Sequence, residues 1–342
     1  MVLVPPNRAA CPPSDRVPTP RMPPPAPSAG DSGADKLLVL LAAPLFPSFA
    51  AALGGRYRFV VASDAGAAES GEARVLLVPG LKEVTAELVG ALPALELVAA
   101  TSVGVDHVDL DACRRRGVAV TNAGAAFSVD SADYAVGLVI AVLRRLAAAE
   151  AYVRRGRWAT DGDYPLVTKV SGKRVGIVGL GNIGSLVARR LAAFGCPVAY
   201  HSRSPRPSSP YKFFPTVVAL AADSDVLVLS CALTEETRRM VSREVMEALG
   251  EGGVLVNVGR GGLVDEPELV RCLREGVIAG AGLDVYEREP DVPEELFAMD
   301  NVVLSDHRAV LTPESMKGVV DVVAGNLEAF FAGRPLLSPV TL

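Results

Sequence analysis

The sequence predicts an α/β protein made of two doubly wound parallel-sheet domains, and three observations point there. Short apolar runs alternate with longer amphipathic segments along most of the chain, the pattern of parallel strands joined by crossover helices. The length, 342 residues, suits two domains at ~150 residues each. A Gly-x-Gly-x-x-Gly run at 179–184 sits between an apolar strand pattern and an amphipathic helix pattern.

Residues 1–35 stand apart. Ten of the 26 prolines fall between Pro5 and Pro27, with neither helical nor strand periodicity. Such a segment buries too little surface to offset its ordering entropy, and it is expected to be a disordered tail. Arg8, Arg16 and Arg21 face a single Asp15, which leaves two readings open: an extension of a cytoplasmic protein, or a plastid transit peptide.

From residue 36 the apolar runs at 36–41, 74–78, 95–100 and 118–120 read as buried strands with helices between them. The apolar stretch 131–146 reads as a helix, capped by Asp130 or Ser131. A polar connection at 154–171 leads to a second series, with strands at 174–178, 198–200, 226–229, 254–257, 279–283 and 302–304. Helices are expected at 183–193, 267–274 and 313–331, with Asp265 capping the second of these.

Composition excludes several function classes. Half the residues are hydrophobic and 21% charged, with a formal net charge of -5 and no cluster of Lys and Arg among aromatics, which argues against nucleic acid as a partner. The most apolar stretch, 37–53, is broken by Pro44 and Pro47 and is shorter than the ~20 residues of a bilayer span. Five dispersed cysteines without a Cys-x-x-Cys, and three histidines without ligand spacing, argue against a disulfide framework and propose no metal site.

The glycine run Gly179-Leu180-Gly181-Asn182-Ile183-Gly184 has the chemistry of a dinucleotide cradle. The first glycine makes the tight turn, the second admits a pyrophosphate to the backbone, and the third lets helix and strand pack closely. An NAD-preferring site places Asp or Glu about 20 residues further on. Here Ser202, Arg203 and Ser204 stand there with no carboxylate, and Arg206 follows. A hydroxyl and a guanidinium suit a 2′-phosphate, so NADPH is expected over NADH, with NADH possible.

Three later segments end strands with reactive side chains: Asn257-Val258-Gly259-Arg260-Gly261-Gly262-Leu263-Val264-Asp265, then Gly282-Leu283-Asp284-Val285-Tyr286-Glu287-Arg288-Glu289-Pro290, then Asp306-His307. Strand C-termini of an open parallel sheet meet at one edge, where ligands bind, so Arg260, Glu289 and His307 can converge there. This order of motifs, from residue 36 onward, resembles the D-isomer-specific 2-hydroxyacid dehydrogenases, within them the plant-type NADPH-dependent glyoxylate/hydroxypyruvate and hydroxyphenylpyruvate reductases.

The resemblance implies a cofactor domain (131–311) inserted in a discontinuous substrate domain (36–130 and 312–342), both Rossmann-like, and a homodimer formed around the cofactor domains. It implies that Arg260 binds the substrate carboxylate and carbonyl oxygen. It further implies that His307 is the general acid and that Glu289, rather than Glu287, holds the imidazole and keeps it protonated. It places Thr234, Val258, Gly259 and Asp284 along the cofactor, and gives the backbone N–H groups of Val103 and Gly104 to the substrate carboxylate. The loop at 78–82 is expected to line the substrate pocket. Asp306 departs from the proline that many relatives carry there, which either assists the acid or loosens its loop.

The substrate is then a small 2-oxo acid, hydroxypyruvate or glyoxylate, or an arylpyruvate such as 4-hydroxyphenylpyruvate. A reading of another class, a dinucleotide-sensing corepressor-like interaction protein, shares the fold. His107 and His201 read equally as ordinary loop or surface residues, and Trp158 as a packing residue or one that reaches a partner subunit's cleft.

Overall fold

In the computed structural model, residues 36–342 are described; the tail expected at 1–35 and its targeting reading lie outside them. Two parallel sheets carry the fold. The first contains β1 (Leu37–Leu41), β2 (Tyr57–Val61), β3 (Val75–Val78), β4 (Leu97–Ala100) and β5 (Ala119–Thr121), in the order β2-β1-β3-β4-β5. The second contains β6 (Val175–Val178), β7 (Val198–His201), β8 (Lys212–Phe213), β9 (Val226–Leu229), β10 (Val254–Asn257), β11 (Gly280–Leu283) and β12 (Val302–Leu304), in the order β12-β11-β10-β9-β6-β7-β8.

Strands such as β3, β4 and β9 are apolar at every position because helices cover both faces of a parallel sheet. The chain leaves β6 toward β7 on one side and returns to β9 on the other. That reversal opens a crevice at the C-terminal end of β6, where the glycine run begins. Likewise β10, β11 and β12 pair in sequence order, so their C-terminal loops lie side by side.

Two long helices tie the sheets into place. Ser128–Leu143 packs Ala132, Ala135, Leu138 and Val139 into a core with Ile177, Val228 and Val256 of the second sheet. Pro313–Phe331 returns to the first sheet, with Val319, Val323 and Leu327 buried among Val39, Leu77 and Leu97. Asp265 caps the Glu266–Glu275 helix by accepting from the Glu268 N–H at 3.3 Å.

The structure differs from the sequence expectations in four places. The helix expected at 131–146 begins at Ser128 and ends at Leu143, because Arg145 adopts a left-handed φ of 50° and starts a separate helix, Leu146–Arg154. Neither Asp130 nor Ser131 caps it; the Asp130 carboxylate accepts instead from the Thr312 hydroxyl at 3.1 Å. The polar connection at 154–171 contains a short helix, Arg157–Asp161. Finally, β2 and β8 were absent from the expected strands. Both are edge strands with mostly half-exposed residues: β8 is only two residues long, whereas β2 does carry an apolar run, Phe59-Val60-Val61, that the expected strands passed over.

Candidate active site

The loops following β10, β11 and β12 bring Arg260, Glu289 and His307 to one end of the second sheet. Asn257, buried at the end of β10, shapes the first loop: its amide donates to the Arg260 carbonyl at 2.8 Å and accepts from the Gly259 N–H at 3.0 Å. Arg260 thereby leaves the strand in extended backbone and faces the first sheet. Glu287 turns away to pair with Arg239 at 2.9 Å, while Glu289 Oε2 meets His307 Nδ1 at 2.7 Å. With a carboxylate as acceptor, Nδ1 carries the hydrogen, so Nε2 is the nitrogen left for chemistry.

Burial alone would push Glu289 upward. The His307 hydrogen bond and charge, with the Tyr286 N–H at 3.1 Å, outweigh burial and hold the carboxyl below the ordinary glutamate range. A group lowered in the folded state contributes stability above its unfolded pKa and loses it as pH falls through the folded one. The Glu289 contribution is therefore complete at neutral pH.

His307 stands at a left-handed φ of 53°, a conformation disfavoured for a non-glycine residue. Asp284 holds it there. The Asp284 carboxylate is buried and accepts from the Ser305 hydroxyl (2.7 Å), the Arg308 N–H (2.9 Å) and the Ala309 N–H (3.0 Å). The Asp284 carbonyl accepts the His307 N–H at 2.8 Å. Asp306, which stands where many relatives carry proline, pairs with Arg308 at 2.9 Å on the exposed side of the loop.

Arg260 and His307 both line a cavity of about 460 Å³ between the sheets, together with Ser102, Val103, Gly104, Ile183, Val258 and Asp284. The 101–106 loop is braced by Asn122, whose amide donates to the Val103 carbonyl at 2.9 Å, and by Ser102, whose hydroxyl donates to the Gly104 carbonyl at 2.8 Å. Gly80 and Leu81 of the 78–82 loop line the cavity as expected. Sequence reading missed its apolar wall, Phe46, Phe49, Leu311 and Met316, because these residues come from a loop, two helices and a turn with no shared motif.

The family model for the D-isomer specific 2-hydroxyacid dehydrogenase NAD binding domain matches residues 136–309. A glyoxylate/hydroxypyruvate reductase of Arabidopsis thaliana is 60% identical over 270 residues, covering 79% of this chain and 84% of that protein. This chain belongs to the D-isomer specific 2-hydroxyacid dehydrogenase family. A hydroxyphenylpyruvate reductase of Plectranthus scutellarioides is 56% identical over 255 residues, covering 75% of this chain and 81% of that one. Among solved structures, an NADPH-dependent glyoxylate/hydroxypyruvate reductase of Sinorhizobium meliloti in complex with NADP and malonate superposes with a TM-score of 0.84 at 39% identity. It covers 90% of this chain and 97% of its own.

The dehydrogenase therefore carries a nicotinamide-dinucleotide-binding domain, and its own residues fit that group. Gly179 has a φ of 92°, and a Cβ on Gly184 would sit 2.1 Å from the Gly179 carbonyl oxygen, so neither position admits another residue without displacement. Gly181 faces open space and starts the Asn182–Ala193 helix with no side-chain cap, leaving the first amides of the helix for an anion. Leu180, Gly181 and Asn182 line a cleft with Ser185, Arg189, Arg206 and Ser208.

Of the two arginines in that cleft, Arg206 was noted from sequence only as a neighbour of Arg203 and Arg189 was not noted. Arg203 lies near Glu236, whose carboxyl is lowered first by the Thr234 hydroxyl at 2.6 Å and last by the Arg203 charge. Ser202 donates to the Ser204 carbonyl at 2.7 Å and shapes the turn after β7. His201 donates through Nδ1 to the Phe214 carbonyl at 3.0 Å, a structural bond at the edge of the sheet.

Asp284→Ala tests the loop anchor. Removing a buried acceptor of three hydrogen bonds is expected to cost about 3 kcal/mol of stability. It should also lower kcat/KM at least tenfold, measured by thermal unfolding and steady-state kinetics; unchanged values would show that the loop holds itself.

Proposed function

We propose that this enzyme reduces a small 2-oxo acid to the D-2-hydroxy acid with NADPH, hydroxypyruvate to D-glycerate and glyoxylate to glycolate. The observation that carries the reading is a single cavity into which a guanidinium and a carboxylate-backed imidazole both open. The bound dinucleotide would supply hydride to the carbonyl carbon. Arg260 binds the carboxylate and carbonyl oxygen and stabilises the negative charge that develops there. The amides of Val103 and Gly104 receive the other end of the carboxylate. His307 delivers a proton from Nε2 to the carbonyl oxygen, and Glu289 holds the ring in the required tautomer and balances its charge.

Residues 36–130 with 312–342 would serve as the substrate domain and 131–311 as the cofactor domain. Arg203, with Ser202 and Ser204, would read the 2′-phosphate, and Arg206 would add a second guanidinium to it. Thr234, Val258 and Gly259 border the cofactor path. The Phe46, Leu81, Leu311 and Met316 wall favours a second reading of the same chemistry, in which an arylpyruvate enters with its ring against these side chains. Exposed apolar residues on one segment, Leu146, Val153, Trp158 and Leu166, support a homodimer that covers them.

The deciding experiment is a spectrophotometric screen of glyoxylate, hydroxypyruvate and 4-hydroxyphenylpyruvate against NADPH and NADH. Oxidation of NADPH by at least one acid is expected; binding without turnover on any would favour a sensing role instead. His307→Ala should lower kcat by about 10²–10⁴-fold, the share of a general acid, with a small change in NADPH affinity. Arg203→Ala should raise KM for NADPH far more than for NADH, and equal effects would remove it from the 2′-phosphate. In sedimentation or light scattering the wild type should run as a dimer and Leu166→Asp with Val153→Asp as a monomer.

A further inference from the structure

Arg260 is held on three sides. Its Nε–H donates to both oxygens of Asp106, at 3.1 and 3.3 Å, and Nη1 donates to the Gly259 carbonyl at 2.9 Å. Nη2 lies over Gly104, where a Cβ would come within 2.3 Å of it and within 2.8 Å of Asp106 Oδ1. The loop after β4 thus has a glycine where the guanidinium passes and a carboxylate where it stops.

Asp106 belongs to the lobe of the first sheet and Arg260 to that of the second. Among the described residues theirs is the one ion pair that joins the two lobes. A half-exposed pair contributes little to stability. What it does fix is rotation: with Nε–H and one N–H of Nη1 committed to the protein, the fork is turned so that its remaining Nη1 and Nη2 hydrogens are the ones left for a ligand. Neighbouring His107 has both ring nitrogens buried without a partner among the described residues, and burial holds it below the ordinary histidine range. It is neutral at pH 7 and does not compete with Arg260 for Asp106.

We propose that Asp106 is a positioning residue that sets the rotation of Arg260 across the cleft, so that the oxo acid meets an oriented guanidinium only when the two lobes are together. This rests on Arg260 as the receptor of the oxo acid. The opposite effect is also physically available, since a carboxylate beside an anion receptor repels an anionic substrate. The sign of the change in KM therefore decides between them.

The test compares wild type, Asp106→Asn, Arg260→Lys and the double variant. The measurements are kcat and KM for hydroxypyruvate or whichever oxo acid turns over, NADPH affinity by fluorescence, and thermal unfolding. Asp106→Asn keeps the side-chain shape and is expected to raise KM for the oxo acid about tenfold, the scale of one charge-assisted hydrogen bond. The fall in kcat should be smaller and NADPH affinity should hold within about twofold. In the Arg260→Lys background, where no fork remains to orient, the same change should cost less than about twofold.

Should Asp106→Asn not fold, Asp106→Ser carries the same expectation. An unchanged or lowered KM, or the same fold-change in both backgrounds, overturns the role of Asp106 alone. An Arg260→Lys enzyme with unchanged KM overturns the reading of Arg260 itself.

Discussion

The acid end of the active site depends on one buried carboxylate. Asp284 ends β11 and gathers the Ser305 hydroxyl and the Arg308 and Ala309 amides, while its backbone takes the amide of His307. A charge in such a place is costly unless fully hydrogen-bonded, and here the bonds all come from one short loop. That concentration offsets the left-handed backbone of His307, a cost of order 1–2 kcal/mol. The imidazole can then meet Glu289 at 2.7 Å without help from a proline at position 306.

Each part of the site was legible to the degree that its geometry is local in the chain. The glycine run could be read because turn, phosphate approach and helix packing each constrain one residue within a single turn. Arg260, Glu289 and His307 were legible as a set because parallel strands that pair in sequence order carry their C-terminal residues to the same edge. Asp284 stood in a recognisable motif, yet the sequence did not show that its oxygens hold a loop more than twenty residues away. Nothing in the local sequence of either segment announces that pairing.

Features formed across the two sheets were hidden for a related reason. Asp106 and Arg260 are 154 residues apart, and neither carries a mark of the other. The apolar wall takes Phe46 from before the first helix and Leu311 from the turn before the last, so periodicity within any one element is silent about it. Arg206 was noted only as a neighbour of Arg203, and the structure puts it in the lining of the cleft beside the glycine run. The missed edge strands differ: the two residues of β8 are too few to make a pattern, while the Phe59-Val60-Val61 run of β2 was readable and was passed over.

The final long helix has a consequence for truncated forms of the protein. Apart from Met316 of the apolar wall, every residue assigned to ligand or chemistry precedes Thr312, yet the following helix supplies Val319, Val323 and Leu327 to the far core. A chain stopped at that point would retain its full reactive inventory while baring the greasy side of β1, β3 and β4. Loss of the C-terminus should therefore announce itself as insolubility, with the chemistry nominally intact but no soluble material left to perform it.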